Sequence, residues 1–333
     1  MQREFSIVVD RSKYQYAPTP WEQESWRASA LDWVVEQLAS HGLRASGELR
    51  VRLRPWSVLV RVAVQGRDAV WFKANPPASA FEGPLTAALA RWVPEHVLRP
   101  LALDAERAWV LLPDGGELFR DVLAREPVEP RTWEELLRQY ASMQQALTPH
   151  AHEIERLGVP ATRTPDLPEA FDELLTHSTA LRPEARERLE RLRPRLVDWC
   201  AELASLGVED SLDHADLHDG QLFRPVPGRF TFFDWGDAVV SHPFCSLRVP
   251  AEKARVRYGP QVVARLLDAY LEPWTGHGRS PAELRRAAHL AWRLSVLGRA
   301  ASWGRAFPDA SGTGPGAEQS SESLLEIFVD PPF

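Results

Sequence analysis

Apolar residues recur at helical spacing near the start of the chain, where Trp26, Ala30, Trp33, Val34 and Leu38 share one face as far as Gly42. Thr19-Pro20-Trp21-Glu22 ahead of them reads as a capping box with proline at the first helical position, so the pattern predicts an amphipathic helix packed through its tryptophans. From Leu49 the period shortens. Three β-type runs follow, Leu49–Leu53, Val58–Val64 and Ala69–Lys73, the last two joined by the turn Gln65-Gly66-Arg67-Asp68, and Asn75-Pro76-Pro77 stops the third. Phe81–Trp92 reads as helix, and Ala108–Leu112 as a buried strand ending at Pro113-Asp114-Gly115-Gly116. Residues 1–112 are therefore expected to form a small, sheet-rich lobe with a leading helix.

Beyond that break, helical patterns dominate. Thr132-x-x-Glu135 reads as the cap of a segment with Leu136, Tyr140, Met143 and Leu147 on one face, and a second helix runs over Pro183–Leu206 with a bend at Pro194. Ser280-Pro281-Ala282-Glu283 is a further capping box, opening a helix through Leu290, Leu294 and Leu297 towards Phe307. One β-type island, Ser211–Phe233, interrupts the helices. Residues 113–308 are thus expected to be a helical lobe, and residues 309–333, which open on a Gly- and Ser-rich stretch, a mobile tail.

Composition narrows the class. With 44% hydrophobic and 26% charged residues among 333, the chain is too apolar for disorder and has ample material for a core. A net charge of −7 excludes a broad nucleic-acid footprint, which needs clustered positive charge, but leaves room for a cationic ligand. No run of about 18 apolar residues occurs and Met1–Asp10 carries no export signal, so no membrane partner is expected. Cys200 and Cys245 stand far apart, read as small core residues, and fit a cytoplasmic location without a Cys-based zinc site. The 39 basic residues are skewed towards arginine: only Lys13, Lys73 and Lys253 are lysines.

The β island carries the densest chemistry. It contains His214-Ala215-Asp216-Leu217-His218-Asp219-Gly220-Gln221, an apolar strand to Arg224, a Pro225-Val226-Pro227-Gly228 turn, and Arg229–Phe233 leading into Asp234-Trp235-Gly236-Asp237. Read as a hairpin with Arg224 opposite Arg229, it brings Asp234 close to Gly220 and Gln221, so a carboxylate and an amide oxygen converge near Asp216. Hard oxygen donors of this kind suit magnesium and phosphate.

With these residues the chain resembles the aminoglycoside phosphotransferase family, and through it choline kinases and, more distantly, protein kinases. The resemblance, carried by motifs from Trp56 to Phe244, implies an α+β, protein-kinase-like two-lobed fold with a nucleotide between the lobes. It implies transfer of the γ-phosphoryl group of ATP or GTP to a hydroxyl of a small molecule, an aminoglycoside or other antibiotic among the candidates, with Mg2+ as cofactor. Asp216 then takes the place of the catalytic base and Asp234 that of the principal magnesium ligand. Gln221 stands at the metal-ligand position where the family usually has Asn. Lys73, at a strand end, falls where such a lobe carries the phosphate-pairing lysine, with Glu82 as its candidate partner nine residues on. Pro55-Trp56-Ser57 occupies the phosphate-covering loop, with Ser57 a candidate contact, and the segment from Trp109 to Gly116 looks like the hinge, where backbone groups near Leu112 and Asp114 would meet the nucleotide base.

Other readings of single residues stand beside these. His214 reads as a brace of its loop, His218 matches a family histidine, and Asp237 reads as a helix cap or as the support of a metal-bound water. Asp166, Glu169, Asp172 and Glu173 fit either a solvated helix face or the lining for a cationic acceptor. Two further function classes fit the same residues: a nucleotide-binding module without catalysis, favoured by Gln221, and a metal-dependent hydrolase built on His214-x-Asp216-x-His218.

Overall fold

In the computed structural model, residues 20–54, 56–276, 278–306 and 315–333 are described. Pro20–Glu22 forms a single 3-10 turn around the fully buried Trp21, and α1 (Glu24–Ser40) begins only after it, with Gln23 at its N-cap and no side-chain cap bond. Thr19, the first residue of the expected capping box, lies outside the described residues. Five strands follow, β1 (Ala45–Arg54), β2 (Ser57–Val64), β3 (Val70–Ala74), β4 (Ala102–Asp104) and β5 (Trp109–Pro113), with α2 (Glu82–Trp92) inserted after the third. They form one antiparallel sheet in the order β1-β2-β3-β5-β4.

Strand alternation assigns the two sheet faces. Val58, Val60, Val62 and Val64 of β2 are buried with Val70, Phe72 and Ala74 of β3 in the cluster under α1. There Trp33, Phe72 and Trp109 meet edge to face at centroid distances of 5.9, 5.7 and 5.8 Å. Lys73, between Phe72 and Ala74, is thereby turned to the opposite face, towards α2. β4 had no signal in the sequence, since its three residues are half-exposed or exposed and lack an apolar run.

The second lobe begins with α3 (Phe119–Arg125), α4 (Pro130–Leu147) and α5 (Ala151–Arg156), followed by β6 (Ala161–Thr162), α6 (Leu167–His177) and α7 (Pro183–Ser205). Strands β7 (Ser211–Asp213), β8 (Leu222–Val226), β9 (Arg229–Phe232) and β10 (Val239–Ser241) come next, then α8 (Arg248–Tyr258), α9 (Val262–Leu271), α10 (Pro281–Ala306) and α11 (Pro315–Leu325). α4 starts two residues before the expected Thr132 cap, because Pro130 opens it at N1; Thr132 instead donates its amide to the Glu129 carbonyl at 3.0 Å. α7 continues through Pro194 as one helix. The Ser280 box forms: the Glu283 carboxylate accepts from the Ser280 amide at 2.7 Å, and the Glu283 amide donates to Ser280 Oγ at 3.2 Å.

Two expectations change at the ends of elements. The β8–β9 hairpin pairs Val226, not Arg224, with Arg229, because the reversal needs only Pro227 and Gly228, the latter at φ 78°. Residues 315–333, expected in a mobile tail, form α11 and a closing turn packed on α10, with Leu324 and Ile327 fully buried and Phe333 against Trp292 at 5.3 Å. Buried Arg248 reaches Glu326 of this segment at 2.7 Å. No helix among the described residues is long and apolar enough to cross a membrane.

Candidate active site between the lobes

Lys73 is the junction of the site. Its Nζ donates to both Glu82 carboxylate oxygens at 2.7 Å, and also to Asp234 Oδ1. Glu82 opens α2 and is buried, so β3 and the first turn of α2 are tied together at the face away from α1. Burial opposes the Lys73 charge, yet Asp234 and Glu82 outweigh it and hold the ammonium protonated well above its usual range. Asp234 is likewise opposed by burial, and Lys73 outweighs that to keep its carboxyl below the usual carboxylate range. For Glu82 burial wins, and its carboxyl is pushed up.

Asp234 sits in left-handed backbone, φ 66° and ψ 55°, a conformation that Asp tolerates better than most residues. The kink follows directly on β9 and precedes the 3-10 turn Trp235–Asp237. Ser79 Oγ donates to the Gly236 carbonyl at 3.0 Å, a second tie from the sheet lobe to this turn.

The facing loop, residues 214–221, is held from behind by buried groups. Asp213 accepts from Ser246 Oγ at 2.5 Å and from the Ala215 amide at 2.9 Å; burial pushes its carboxyl up. Tyr140 Oη accepts from the His214 amide at 2.9 Å, and the His214 ring donates from Nε2 to the Phe233 carbonyl at 2.9 Å. Sequence reasoning passed over Asp213 and Ser246 and read Tyr140 only as one position of an apolar helix face; the three come from distant segments, and no local pattern links them.

Asp216 projects from this braced loop, with a side chain 41% exposed. His218 Nδ1 accepts from the Gly220 amide at 2.9 Å, so the ring proton lies on Nε2, 3.5 Å from Asp216 Oδ2. Burial, aided by Arg120 and Lys253, lowers the basicity of that ring despite the neighbouring carboxylates. Gln221 Nε2 lies 3.4 Å from Asp216 Oδ2, and the same amide also meets Asp234. Asp216, Gln221 and Asp234 are thus brought together with Lys73 and Glu82.

Asp237 caps no helix: β10 follows it, and the next helical turn is capped by His242. Its carboxyl is pushed up to about 6, first by burial and then by the charges of Asp216 and Asp234. Three mutually repelling carboxylates and an amide are a donor set that fits a hard divalent cation, with Asp234 and Gln221 the residues that could hold it. Among the described residues, no three His, Cys, Asp or Glu side chains form a metal cluster by themselves, so bound phosphate and water would have to complete the shell. His214 is turned inward to the Phe233 carbonyl, which removes the His214-x-Asp216-x-His218 arrangement needed for a metal-dependent hydrolase.

The remaining expected residues line the sheet side. Ser57 begins β2 opposite Arg54 at the tip of the β1–β2 hairpin; Pro55 in that turn lies outside the described residues. Leu112 lies on β5 opposite Trp71 of β3. Asp114 uses its side chain structurally, accepting from Trp71 Nε1 at 3.2 Å and from the Gly116 amide at 2.9 Å. Gly115 admits the Phe223 ring, since a Cβ there would lie 2.3 Å from two of its carbons. Of the acids considered for a cationic acceptor, Asp172 is clamped by Arg193 at 2.6–2.9 Å, and Asp166, Glu169 and Glu173 are exposed.

Comparison with known proteins places this arrangement. Solved structures that resemble it include macrolide 2'-phosphotransferase MphH from Brachybacterium faecium, 20% identical, with 89% of this chain and 98% of that one covered at a TM-score of 0.57. An ethanolamine kinase of Plasmodium vivax is 12% identical, with 92% and 89% covered at a TM-score of 0.61. The GDP complex of wild-type aminoglycoside 2'-phosphotransferase-IIIa is 16% identical, with 90% and 99% covered at 0.54. No curated protein matches the chain by sequence. At these identities the structures establish the two-lobed, kinase-like fold. The sequence pattern of the phosphotransferase enzyme family matches residues 56–286, well over half of the chain. The chain belongs to that phosphotransferase enzyme family and is a small-molecule kinase.

Proposed function

We propose that the chain transfers the γ-phosphoryl group of ATP or GTP to a hydroxyl group of a small molecule. The observation that carries the reading is the convergence of Lys73, Glu82 and Asp234 opposite Asp216, four side chains drawn from β3, α2 and the two ends of the β8–β9 hairpin region. Phosphoryl transfer asks mainly for positioning and charge neutralisation, and this cluster is built for both. A nucleotide in the GDP complex of one structural relative supports the nucleotide co-substrate.

In this reading Glu82 holds Lys73, and the Lys73 ammonium orients the nucleotide phosphates. Ser57 contacts the phosphates from the hairpin tip, while backbone groups near Leu112 and Asp114 bind the base. Asp216 orients the acceptor hydroxyl and takes its proton, with the His218 Nε2–H fixing the carboxylate on its other side. Asp234 and Gln221 hold Mg2+, which when bound supplies neutralisation of the charge on the transferring phosphoryl oxygens.

One observation favours a second reading, nucleotide binding without turnover. The Gln221 amide nitrogen, not its oxygen, is directed at Asp216, and its side chain is one carbon longer than the family's Asn. The two readings separate in one assay of nucleotide consumption with Mg2+ across acceptor classes. Turnover that an acceptor accelerates and Asp234→Ala abolishes supports transfer; tight Mg-nucleotide binding without turnover supports the second.

A further inference from the structure

The loop 214–221 is braced from behind by Asp213 and Tyr140, and its outer side is held by a residue outside every motif above. Arg120, in the first turn of α3, donates its backbone amide to the Asp219 carbonyl at 2.9 Å. Its guanidinium turns back over the same stretch, with Nη2 3.3 Å from His218 Nδ1 and 3.7 Å from Asp219 Oδ1. A Cβ at Gly220 would lie 2.3 Å from that Nη2 and 2.5 Å from Cζ, so the guanidinium fills the space where a side chain of residue 220 would stand. Arg120 thus touches three successive residues of the loop, two to four positions beyond Asp216.

These contacts converge on one ring nitrogen. A guanidinium only donates, and so does the Gly220 amide, 2.9 Å from His218 Nδ1. Two donors on Nδ1 leave the ring proton on Nε2, the atom 3.5 Å from Asp216 Oδ2. The Gly220 amide belongs to the same loop and moves with it, whereas Arg120 ties the ring to a different element. That element is anchored: Phe119, Val122 and Leu123 root α3 in the core of the helical lobe. A ring held from both sides presents Nε2–H to one oxygen of Asp216 and leaves the other for the acceptor hydroxyl. Loss of such orientation lowers the rate of the chemical step more than the affinity for nucleotide.

We propose that Arg120 is a positioning residue for phosphoryl transfer, acting through His218 to hold the Asp216 carboxylate towards the acceptor hydroxyl, a role that rests on the phosphotransferase reading of Asp216. Gly220 supplies a selective test: its backbone is not left-handed, so alanine suits it, and the three atoms nearest to an added Cβ all belong to Arg120. Arg120→Ala removes the guanidinium and Gly220→Ala displaces it. Wild type, both variants and the double variant are compared, with an unchanged unfolding midpoint as the check of folding. Hydrolysis of ATP or GTP with Mg2+ uses water as acceptor: its oxygen bonds to the γ-phosphorus as the bond to the bridging oxygen breaks, and its proton passes to Asp216. Each single variant is expected to lower kcat about tenfold with little change in the nucleotide KM, and the double variant no further, since both changes remove one contact. Long-range 1H–15N spectra of the ten histidine rings, taken in mildly alkaline buffer with His218 assigned by its loss in His218→Asn, read the tautomer independently of activity. They should show Nε2–H alone in wild type and an added Nδ1–H fraction in each variant. Additive losses in the double variant, an effect on the nucleotide KM instead of kcat, or unchanged kcat and ring spectra in Arg120→Ala would each overturn the proposal. Wild type that shows the expected ring spectra but no hydrolysis would count against the phosphotransferase reading instead.

Discussion

Lys73 and Glu82 are both more than nine-tenths buried, with side-chain exposures of 7% and 5%. Removing Lys73 leaves the Glu82 and Asp234 carboxylates without their shared counter-charge, so Lys73→Met is expected to lower stability by about 3 kcal/mol in denaturant unfolding. The double variant Lys73→Met/Glu82→Met should recover only part of that loss, since it removes the Glu82 charge but still leaves Asp234 without Lys73, while nucleotide binding stays impaired in both. Asp237 makes the opposite case. Its folded-state value of about 6 lies above the ordinary carboxyl value of 3.8, so its contribution to stability is fully present below the ordinary value and is lost as pH rises through about 6. Asp237→Asn in metal-free protein should therefore stabilise the fold by about 2 kcal/mol at pH 8 and by little at pH 4. Unfolding free energies at the two pH values check this, and an equal effect at both would assign the gain to something other than charge. That Asp216, Asp234 and Lys73 come together was legible because each stands in a compact motif or at a strand end. Asp237 was left between a helix cap and the support of a metal-bound water, since sequence spacing does not show which carboxylates share a buried space.

Elements were legible where periodicity was strong. β2 alternates buried valines along its length and was read within a residue of its ends, as was the turn between it and β3. The β8–β9 register was misread by two positions on one strand, because a turn of two residues and one of four are equally compatible with Pro225-Val226-Pro227-Gly228. α11 was hidden by composition: its Gly- and Ser-rich beginning masked the apolar residues Leu324, Leu325 and Ile327 that dock it on α10. The docking has a polar anchor, Glu326, which receives Arg248 at 2.7 Å and Arg299 at 3.1 Å. Arg248 is 2% exposed and Glu326 has a side chain 38% exposed, so solvent screens part of the pair. Glu326→Ala is expected to cost about 2 kcal/mol, seen as a lower denaturant midpoint with an unchanged slope. Ser280→Ala, at the one expected capping box that forms as read among the described residues, should cost about 1 kcal/mol by the same measurement.

At the scale of the molecule, one cluster of buried residues lies between α1 and the five-stranded sheet and a second fills the helical lobe and reaches α2 through Phe81, Leu85 and Leu89; the site is formed where groups from both lobes meet. Lys73 and Glu82 come from the sheet lobe; Asp216, Gln221 and Asp234 come from the helical lobe. That division was readable from the change of period near Pro113, and the kinase-like arrangement from the motifs placed on either side of it. The buried supports, Asp213 with Tyr140 and Ser246, were not, because they are joined only by the tertiary fold across α4, β7 and the turn before α8. The central claim is that these two half-sites together move a phosphoryl group onto a hydroxyl, with Asp216 as the base. Transfer of label from γ-labelled ATP or GTP to a hydroxyl acceptor, with Mg2+, tests it in folded wild-type protein and Asp216→Asn side by side. The expected result is a labelled acceptor with wild type and a loss of transfer of about 10²-fold or more in the variant, with nucleotide binding retained. Undiminished transfer by Asp216→Asn would contradict the account.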